Sequence, residues 1–329
     1  MWRNMNYFLC KLHFTTPLHV GNSESAKSLD SSNMTICADT VFSALCHTAL
    51  TTLGEDGIKK LYNYVIDNQL RISDMLPYSQ DRLFIPKPFM TSKAIQVNNN
   101  KHKDRKKIKK LTHLPLDMLP DFLASIEGEK DFDVEKASCD FGIHHISTKN
   151  SIQGNDIAVP YIVGLFSFNQ DSGLYIIIGY KSKEALQYIL KLLRLTGISG
   201  IGGKVSSGYG KYKIIAEVAL SQSDKEEFQN LSQLLNLKTA ENYLLLTSSI
   251  PSNHELKDVI EGSSYGLIRR GGFVNSGNSG GKQVKKQTQY FFSSGSVLAK
   301  RFNGDIYNVS NQVKHPVYRY SKPIFMGLM

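Results

Sequence analysis

The strongest chemical signal in the sequence is a glycine-rich segment with two lysines and a tyrosine, Gly197–Lys211, which reads GISGIGGKVSSGYGK. Glycines permit positive φ and bring backbone N–H groups close to a ligand, which suits phosphate groups. Lys204 and Lys211 add positive charge, and Tyr209 could stack on a nucleobase. The candidate binding residues of this glycine loop are Gly200, Gly202, Gly203, Lys204, Ser206, Ser207, Gly208, Tyr209, Gly210 and Lys211.

Two other phosphate-binding motifs do not fit these residues. A Walker A loop needs a glycine five residues before its Gly-Lys pair and a serine or threonine after the lysine, but Ile198 and Val205 occupy those places. A dinucleotide-binding fingerprint beginning at Gly200 would need a glycine at Val205. The alternative that stays open is a glycine turn with a purely structural role.

A second basic and glycine-rich group lies in the C-terminal third of the chain, at Arg269–Phe273 (RRGGF). Adjacent arginines beside glycines that expose the backbone suit a sugar-phosphate chain. The candidate residues of this group are Arg269, Arg270, Gly271, Gly272 and Phe273.

Residues with the chemistry of catalysis are few. His144 and His145 lie near Cys139 without the spacing of a metal site. His19 could act as a general base that cleaves RNA at a 2′-hydroxyl, or it could be structural or contact a phosphate. The sequence contains no HExxH, GxSxG or GGDD motif. We therefore expect no catalytic residue, no metal and no cofactor.

The positive charge of the chain is concentrated in one place. Of the net charge of +10, the segment Lys101–Lys110 supplies +6, with seven basic residues and one acid, Asp104. The surrounding stretch, 96–110, is polar and rich in asparagine, which predicts a mobile loop. This basic arm is either a solvated insertion or a segment that adds salt-dependent affinity for phosphates without reading sequence.

Composition restricts the protein class further. No apolar run approaches the length of a membrane span, and the first residues lack the pattern of an export signal. The four cysteines form no CxxC pair, which fits a reducing compartment. We expect a cytoplasmic protein without a membrane partner.

The order of predicted elements indicates an α+β fold. In the first half of the sequence, the residue patterns predict four helices: one that begins at Asp39 or Thr40 and ends at Leu53, then Ile58–Asn68, Leu116–Ile126 and Ser182–Leu195. They also predict the strands Tyr7–Phe14 and Tyr212–Leu220 and a hairpin of Pro160–Phe168 with Gly173–Tyr180. Residues 143–159 predict a polar, turn-rich connection. This order suggests an elaborated ferredoxin-like βαββαβ unit in residues 1–213.

Residues 214–329 predict a second, degenerate copy of that unit. The predicted elements are helix Ser223–Leu235, strand Tyr243–Ser249, helix His254–Glu261, and strands Tyr265–Arg270, Gln289–Phe292 and Val297–Phe302. No sequence repeat accompanies them, so this prediction depends on element order alone.

The motifs together resemble the RAMP superfamily of CRISPR proteins, whose glycine-rich loop has the pattern GxGGKxSxGYGK found at Gly200–Lys211. Further segments resemble the RAMP subunit of type III-A (Csm) complexes that caps the 5′ handle of crRNA. They are LHVG (18–21), ADTVFSAL (38–45), TKNSI (148–152), RRGGF (269–273), FSSGSV (292–297) and HPVYRY (315–320). The resemblance touches nearly the whole chain.

The resemblance implies two ferredoxin-like (RRM-like) domains, with a thumb at 143–159, and a non-catalytic subunit. RNA would lie across the glycine loop and the thumb, with backbone N–H groups of Gly202, Gly203 and Gly208 and the Lys204 ammonium around handle phosphates. Its implied partners are crRNA through the 5′ handle, the large polymerase-like subunit, an adjacent backbone RAMP subunit and, indirectly, target RNA. The residues added to the RNA-binding set by this resemblance are His19, Gly21, Lys149, Asn150, Ser151 and Ile152.

One position departs from the family pattern. Members often continue the thumb motif Asn-Ser-Ile with Asp-Arg, whereas Gln153 and Gly154 stand here, so the arginine contact is in doubt.

Two related functions stay as alternatives. One is a metal-independent endoribonuclease that matures crRNA with His19 or His145, and the other is a backbone RAMP subunit that cleaves target RNA with a loop aspartate such as Asp39. An RNA-binding protein outside CRISPR systems is the third.

Overall fold

The structure is a computed structural model, and it describes residues 5–21, 29–90, 101–153, 157–274, 284–310 and 315–328, with side chains for all of these except 101–105, 152, 153 and 157. The helices are α1 (Ala38–Ile66), α2 (Lys101–Lys110), α3 (Leu119–Glu127), α4 (Val134–Ala137), α5 (Lys183–Ser199), α6 (Glu226–Asn236) and α7 (Asn253–Ile260). The strands of the first half are β1 (Asn6–Phe14), β2 (Leu70–Ile72), β3 (Leu76–Ser79), β4 (Arg82–Pro86), β5 (His113–Pro115), β6 (Gly142–Gln153), β7 (Ile157–Phe168), β8 (Ser172–Tyr180) and β9 (Tyr212–Ala219). Those of the second half are β10 (Asn242–Leu245), β11 (Leu267–Arg270), β12 (Gln289–Phe292), β13 (Val297–Leu298), β14 (Asp305–Asn308), β15 (Tyr318–Ser321) and β16 (Phe325–Leu328).

The first half is built on a sheet with the order β5-β4-β3-β8-β1-β9, and β2 also pairs with β8. Its pairings are antiparallel, with α1 between β1 and β3 in the chain and α5 between β8 and β9. The four strands β9-β1-β8-β3 with these two helices are the ferredoxin-like arrangement. This part of the predicted fold is therefore present.

Both faces of this sheet are buried, because alternate residues of each strand point to opposite sides. Cys10 and Leu12 of β1 and Ile176 of β8 pack with α1 and α5. Leu9 of β1 and Ile177 of β8 belong to the core on the other face. The two predicted helices around Gly54 correspond to α1, which bends there because Gly54 takes non-helical angles (φ 69°, ψ −162°).

The second half of the chain covers the other face of the ferredoxin-like sheet. Leu231 of α6, Leu244 of β10 and Met326 of β16 share one core with Leu9 and Ile177. The predicted division at 213/214 falls inside β9, whose residues pair with β1 as far as Ala219. The first unit therefore extends at least to Ala219, and the two units share a core.

The C-terminal half contains a three-stranded sheet, β13-β10-β16, and the two-stranded pairs β11-β12 and β14-β15. The second ferredoxin-like copy stays a prediction. A buried carboxylate joins this half to the first: Asp74 accepts hydrogen bonds from the backbone N–H groups of Ala38 (2.8 Å) and Ser248 (3.0 Å) and from the Ser248 hydroxyl (2.6 Å). Burial raises the pKa of Asp74, and these hydrogen bonds oppose that rise.

The predicted hairpin of Pro160–Phe168 with Gly173–Tyr180 is wrong. β7 pairs along its length with β6, from Phe168 opposite Gly142 to Ile157 opposite Gln153. One edge of β8 is taken by β1 and the other by β2 and β3. The turn before β8 therefore joins two different sheets. The prediction of a turn-rich connection at 143–159 is therefore also wrong, because this stretch belongs to a long β-hairpin formed by β6 and β7. Within it, residues 154–156 lie outside the described residues.

The mobile loop predicted at 96–110 is wrong for its second part, because 101–110 form helix α2. Lysine and arginine are good helix formers, and Ile108 packs against the core on the α3 and α6 side of the sheet. The Lys87 ammonium donates to the carbonyl oxygen of Ile108 (2.6 Å) in the last turn, where the helix dipole favours a cation. Residues 96–100 lie outside the described residues.

Candidate nucleic-acid interface

The glycine loop follows α5 and is held in a fixed conformation. Gly200, Gly202, Gly208 and Gly210 have φ of 100°, 96°, 86° and 72°, a region that glycine adopts without strain. A Cβ at Gly202 would lie 2.5 Å from the carbonyl oxygen of His19, and one at Gly210 would lie 1.9 Å from that of Ile201. Gly202 and Gly210 are therefore required both for their backbone angles and for close approach.

Much of the loop's backbone hydrogen bonding is internal to the protein. The Gly203 N–H donates to His19 O (2.8 Å), the Gly208 N–H to Val205 O (2.9 Å) and the Gly210 N–H to Pro17 O (2.8 Å). The expected cradle of backbone N–H groups is therefore wrong for Gly203 and Gly208, since folding already uses these donors. The Gly202 N–H has no hydrogen-bond partner among the described residues, so this group and the side chains of the loop are left to contact a ligand.

His19 connects the loop to the β6–β7 hairpin. Its ring is buried, its Nδ1 lies 2.7 Å from Gly164 O, and its Cδ2 would lie 2.7 Å from a Cβ at Gly203. Because a carbonyl oxygen only accepts, Nδ1 carries the proton. Gly21 lies two residues after His19 in the chain and is half-buried. His19 thus acts as a connecting residue between β7 and the loop.

The hairpin and the loop meet through two lysine–tyrosine contacts. The Lys149 ammonium lies 5.2 Å from the ring centroid of Tyr209, and the Lys204 ammonium lies 4.6 Å from that of Tyr161. Tyr209 also hydrogen-bonds to Ser147 across the same junction (3.4 Å). That hydrogen bond is the largest cause that lowers the pKa of Tyr209, and burial opposes it. A hydrogen bond from Lys149 and the Lys149 charge lower the pKa further.

The cations at this junction are not neutralised by acids. Within the described ranges, no carboxylate lies at ion-pair distance from Lys149, Lys204 or Lys211. The side chains of Ser206 and Ser207, in a short 3-10 turn, are exposed beside them. The junction is therefore a positively charged surface with hydroxyl donors and tyrosine rings.

The outer part of the hairpin carries the other predicted thumb residues. Asn150 is exposed and Ser151 is half-buried on β6, opposite Pro160 and Val159 of β7. The Ile152 side chain and residue Gly154 lie outside what the structure describes. The departure at Gln153-Gly154 consequently falls at the end of β6 and beyond it.

The second basic group lies on β11 and the residues after it, where alternation separates its two arginines. Arg269 is exposed, whereas Arg270 points inward and donates to Asp39 through Nε (3.0 Å) and Nη2 (2.6 Å). Arg319 Nε lies 3.8 Å from the same carboxylate. Burial disfavours the charge of Arg270, but Asp39 and nearby groups outweigh it and raise the pKa of Arg270. Gly271 is half-buried, and Gly272 (φ 107°) and Phe273 are exposed.

This ion pair bears on the alternative in which Asp39 cleaves RNA. Asp39 is buried in the first turn of α1, and Cys37 is the N-cap, so the predicted cap at Asp39 or Thr40 is wrong by two or three residues. A carboxylate held by two arginines does not have the setting of a free loop aspartate.

A cavity of about 350 Å³ separates the glycine loop from the second basic group. Its walls come from α1, the start of the glycine loop, β11 with the residues after it, and β15. The charged and titratable residues in its walls are Asp39, His47, Arg270, Lys286, Tyr318 and Arg319, and the glycines are Gly200, Gly202 and Gly271. The structure thus brings the two predicted groups together on opposite sides of one cavity.

Four residues of this region were not predicted as site residues: Ser147, Tyr161, Lys286 and Arg319. Tyr161 lies in the predicted strand Pro160–Phe168 and Arg319 in the HPVYRY motif, so the sequence contained a signal for both. Ser147 and Lys286 have no distinguishing local pattern, since their roles depend on chain segments far away in the sequence.

In the described part of the chain, no group of three His, Cys, Asp or Glu side chains could hold a metal ion. None of the described helices has the length and apolarity to cross a membrane. His145, the second candidate base, has a buried Nδ1 without a partner among the described residues.

Two family models match the sequence. The RAMP superfamily model matches residues 11–213, and the model of the CRISPR Csm4 C-terminal domain matches residues 238–328. Among curated relatives, the "CRISPR system Cms protein Csm4" of Mycobacterium tuberculosis (strain CDC 1551 / Oshkosh) is 32% identical over 91% of this chain and 92% of the relative. The protein of the same name from Streptococcus thermophilus is 30% identical over 92% of this chain and 93% of the relative.

Solved structures agree in fold. A chain from the crystal structure of a Csm3–Csm4 subcomplex of the type III-A CRISPR–Cas interference complex has a TM-score of 0.62 at 18% identity, covering 99% of this chain and 100% of that one. A chain from a Csm1–Csm4 cassette in complex with cA4 has a TM-score of 0.61 at 16% identity, with 98% of each chain covered.

Proposed function

Because the chain belongs to the RAMP superfamily and, within it, to the Csm4 family of type III CRISPR systems, we propose that it is the non-catalytic crRNA-binding subunit that holds the 5′ handle in a type III-A effector complex. The observation that carries this proposal is the junction between the glycine loop and the hairpin. There Lys149 and Lys204 lie on tyrosine rings without a carboxylate partner among the described residues.

The junction would bind RNA mainly through side chains. Ammonium groups of Lys149, Lys204 and Lys211 would contact phosphates, and the hydroxyls of Ser206 and Ser207 would donate to phosphate or ribose oxygens. Backbone bonds within the loop hold these groups in place before RNA arrives, which lowers the entropic cost of binding. The exposed Asn150 of the hairpin would contact the nucleotide beyond them.

The partners in this proposal follow from the relatives. Solved complexes contain Csm4 with Csm1 and Csm4 with Csm3. We propose that this chain likewise bridges crRNA to the large polymerase-like subunit and to the adjacent backbone RAMP subunit, in the cytoplasm, and meets target RNA only indirectly.

The contacts of the two best candidate catalytic residues support the non-catalytic part of the proposal. His19 is buried and hydrogen-bonded to Gly164 O, and Asp39 is paired with Arg270. Both are used in holding segments of the fold together. The alternative of a repeat-processing endoribonuclease requires His19 Nε2 to reach a 2′-hydroxyl.

The experiment is to purify the assembled complex and sequence the RNA bound to it. We expect fragments with one fixed 5′ end, and RNA with heterogeneous 5′ ends contradicts the proposal. In parallel, the isolated protein is incubated with repeat RNA. Wild type and His19→Asn, which keeps a donor toward Gly164 O, should both leave the RNA intact. Cleavage by wild type that His19→Asn abolishes would establish the endoribonuclease instead.

A further inference from the structure

The cavity between the glycine loop and β11 has more buried positive than negative charge. Arg270, Arg319 and Lys286 line it together with a single carboxylate, Asp39. Arg319 and Asp39 are buried, and the Arg270 side chain is only 16% exposed. Buried charges are normally balanced by a partner of opposite sign, because an unbalanced charge in a low-dielectric setting is costly. This charged cavity therefore has the composition of a site for an anion.

The hydrogen bonds of the cations indicate which of them is available. Arg319 donates to three backbone carbonyls, those of Arg270 (2.9 Å), Gln287 (2.8 Å) and Gly271 (3.1 Å), so its donors are occupied while its charge remains. Arg270 uses Nε and Nη2 toward Asp39. The ammonium of Lys286 has no hydrogen-bond or ion-pair partner in the part of the chain that the structure describes. Among the three cations, Lys286 is therefore the one whose side-chain donors are all unused by the described residues.

The surroundings of Lys286 penalise its charge. Burial is the first cause that lowers the pKa of Lys286, and Arg319 is the second; the attraction of Asp39 opposes both. An anion placed among Lys286, Arg270 and Arg319 would remove this penalty. Its charge would be shared by three cations that are already held in position by the fold.

The start of the glycine loop, with Gly200, Gly202 and Val205, contributes another part of the walls. A Cβ at Gly200 or Gly202 would point toward the carbonyl oxygen of Tyr209 or His19, so these two glycines fix the course of the loop beside the cavity. The volume of about 350 Å³ exceeds that of a phosphate group and leaves room for part of the attached nucleoside.

We propose that the charged cavity is a phosphate site that binds one nucleotide of the RNA, with Lys286 as its direct donor and Arg270 and Arg319 as supporting charges. This inference rests on the proposed function. The phosphate has two possible sources: an internal phosphodiester of the bound RNA, or a terminal phosphate as on the 5′ end of an RNA or a mononucleotide.

The neighbouring residue Lys285 provides a matched control. It is exposed and does not line the cavity, so Lys285→Gln removes the same charge one residue away. Full-length wild type, Lys285→Gln, Lys286→Gln and Lys286→Arg would be compared by fluorescence anisotropy with a 3′-labelled handle RNA carrying either a 5′-hydroxyl or a 5′-phosphate. Circular dichroism and thermal melting would establish that each variant is folded.

We expect Lys286→Gln to weaken binding about tenfold, as for loss of one charge-assisted hydrogen bond, and Lys285→Gln to change it less than about twofold. Lys286→Arg should restore most of the affinity. If the loss is the same for both RNA ends, the phosphate is an internal phosphodiester. If wild type binds the RNA with a 5′-phosphate more tightly and Lys286→Gln loses that preference, the bound group is a terminal phosphate. AMP should then compete with the RNA for binding.

Equal effects of Lys285→Gln and Lys286→Gln would overturn the phosphate site while leaving RNA binding by the protein established. Failure of the wild-type protein to bind any of these RNAs would instead overturn the proposed function, and the inference with it.

Discussion

Two regions of the molecule carry its positive charge in opposite ways. Helix α2 belongs to a segment with a net charge of +6, and its described lysines, Lys106, Lys107, Lys109 and Lys110, are exposed. The charged cavity contains three cations and one acid, largely out of solvent. Coulomb interactions are screened at an exposed helix within about 10 Å at ordinary salt, but much less inside a cavity. The number of charges in a segment is therefore a poor guide to where an anion is held.

The two regions also lie at opposite ends of the sheet. α2 leads into β5, which is one end of the order β5-β4-β3-β8-β1-β9, whereas the glycine loop leads into β9 at the other. Five strand spacings of roughly 4.8 Å separate these ends by about 24 Å. The described part of the basic arm thus lies far from the glycine loop along the sheet, and we expect it to add only non-specific attraction for RNA.

The largest expected effect comes from a change without charge. Gly202→Ala places a Cβ 2.5 Å from His19 O at a φ of 96°, so the loop must move, and we expect RNA affinity to fall at least about 100-fold. Gly208→Ala is the matched control, since its φ is 86° but nothing lies within 4 Å of its Cβ. Anisotropy with the handle RNA measures both. Equal losses would mean that backbone strain, and not the position of the loop, controls binding.

The second prediction concerns Asp39, where stability and affinity should change in opposite directions. Asp39→Asn leaves Arg270 and Arg319 as buried charges without their counter-ion, and we expect unfolding to become easier by about 3 kcal/mol. The cavity becomes more positive, so RNA affinity should rise a few-fold at low salt. Urea denaturation measures the first effect and anisotropy the second. Loss of both stability and affinity would show that the ion pair only shapes the cavity.

The third prediction concerns the effect of pH on stability through His113 of β5, the strand that follows the exposed helix α2. Burial lowers the pKa of His113 to about 4, whereas the unfolded chain protonates near 6.5. Below pH 6.5 the unfolded state therefore binds a proton that the folded state does not, and stability falls as the pH is lowered toward 4. We expect a slope of up to about 1.4 kcal/mol per pH unit in this window. Urea denaturation at pH 7 and pH 5 should show this loss, and His113→Gln should reduce it.

The smallest effect is expected from the basic arm. Changing Lys106, Lys109 and Lys110 to Gln keeps the helix but removes three charges, and we expect less than about a threefold loss of RNA affinity at physiological salt. Each RNA phosphate that these lysines no longer neutralise would reduce the slope of log K against log salt by about 0.7. The control changes three exposed lysines elsewhere, Lys181, Lys183 and Lys191, to Gln. A large, arm-specific loss would make the exposed charges the principal site.

Local signals in the sequence predicted the parts that depend on neighbours in the chain. The predicted start of a helix at Ser182 is confirmed, since the Ser182 hydroxyl accepts a hydrogen bond from the Ala185 N–H (3.1 Å), and β1 and β9 lie within a residue of their predicted bounds. The glycines of the loop indicated four of its five positive-φ positions, and the fifth is Lys204 (φ 58°). These features are specified over a few residues, where propensity and glycine geometry act directly.

Pairings between distant segments were not predictable in the same way. Both strands that flank Asn169 have β-forming residues, and only the sheet as a whole determines that β7 pairs with β6 and β8 with β1. Arg270 and Asp39 are 231 residues apart in the chain, so their bidentate contact changes the interpretation of both residues without any local signal. The cavity, with Lys286 in its wall, is likewise a product of the tertiary fold.

The shared core has a consequence for how the protein is made. Leu9 of the first strand packs in the same cluster as Met326 and Leu328 of β16. During synthesis on the ribosome, the ferredoxin-like unit can bury part of its apolar surface early, but the part of its other face that packs on β10 and β16 stays exposed until β16 has emerged. The nascent chain should therefore depend on a chaperone at that face, and a protein truncated before residue 320 should aggregate rather than persist as a competent RNA-binding fragment.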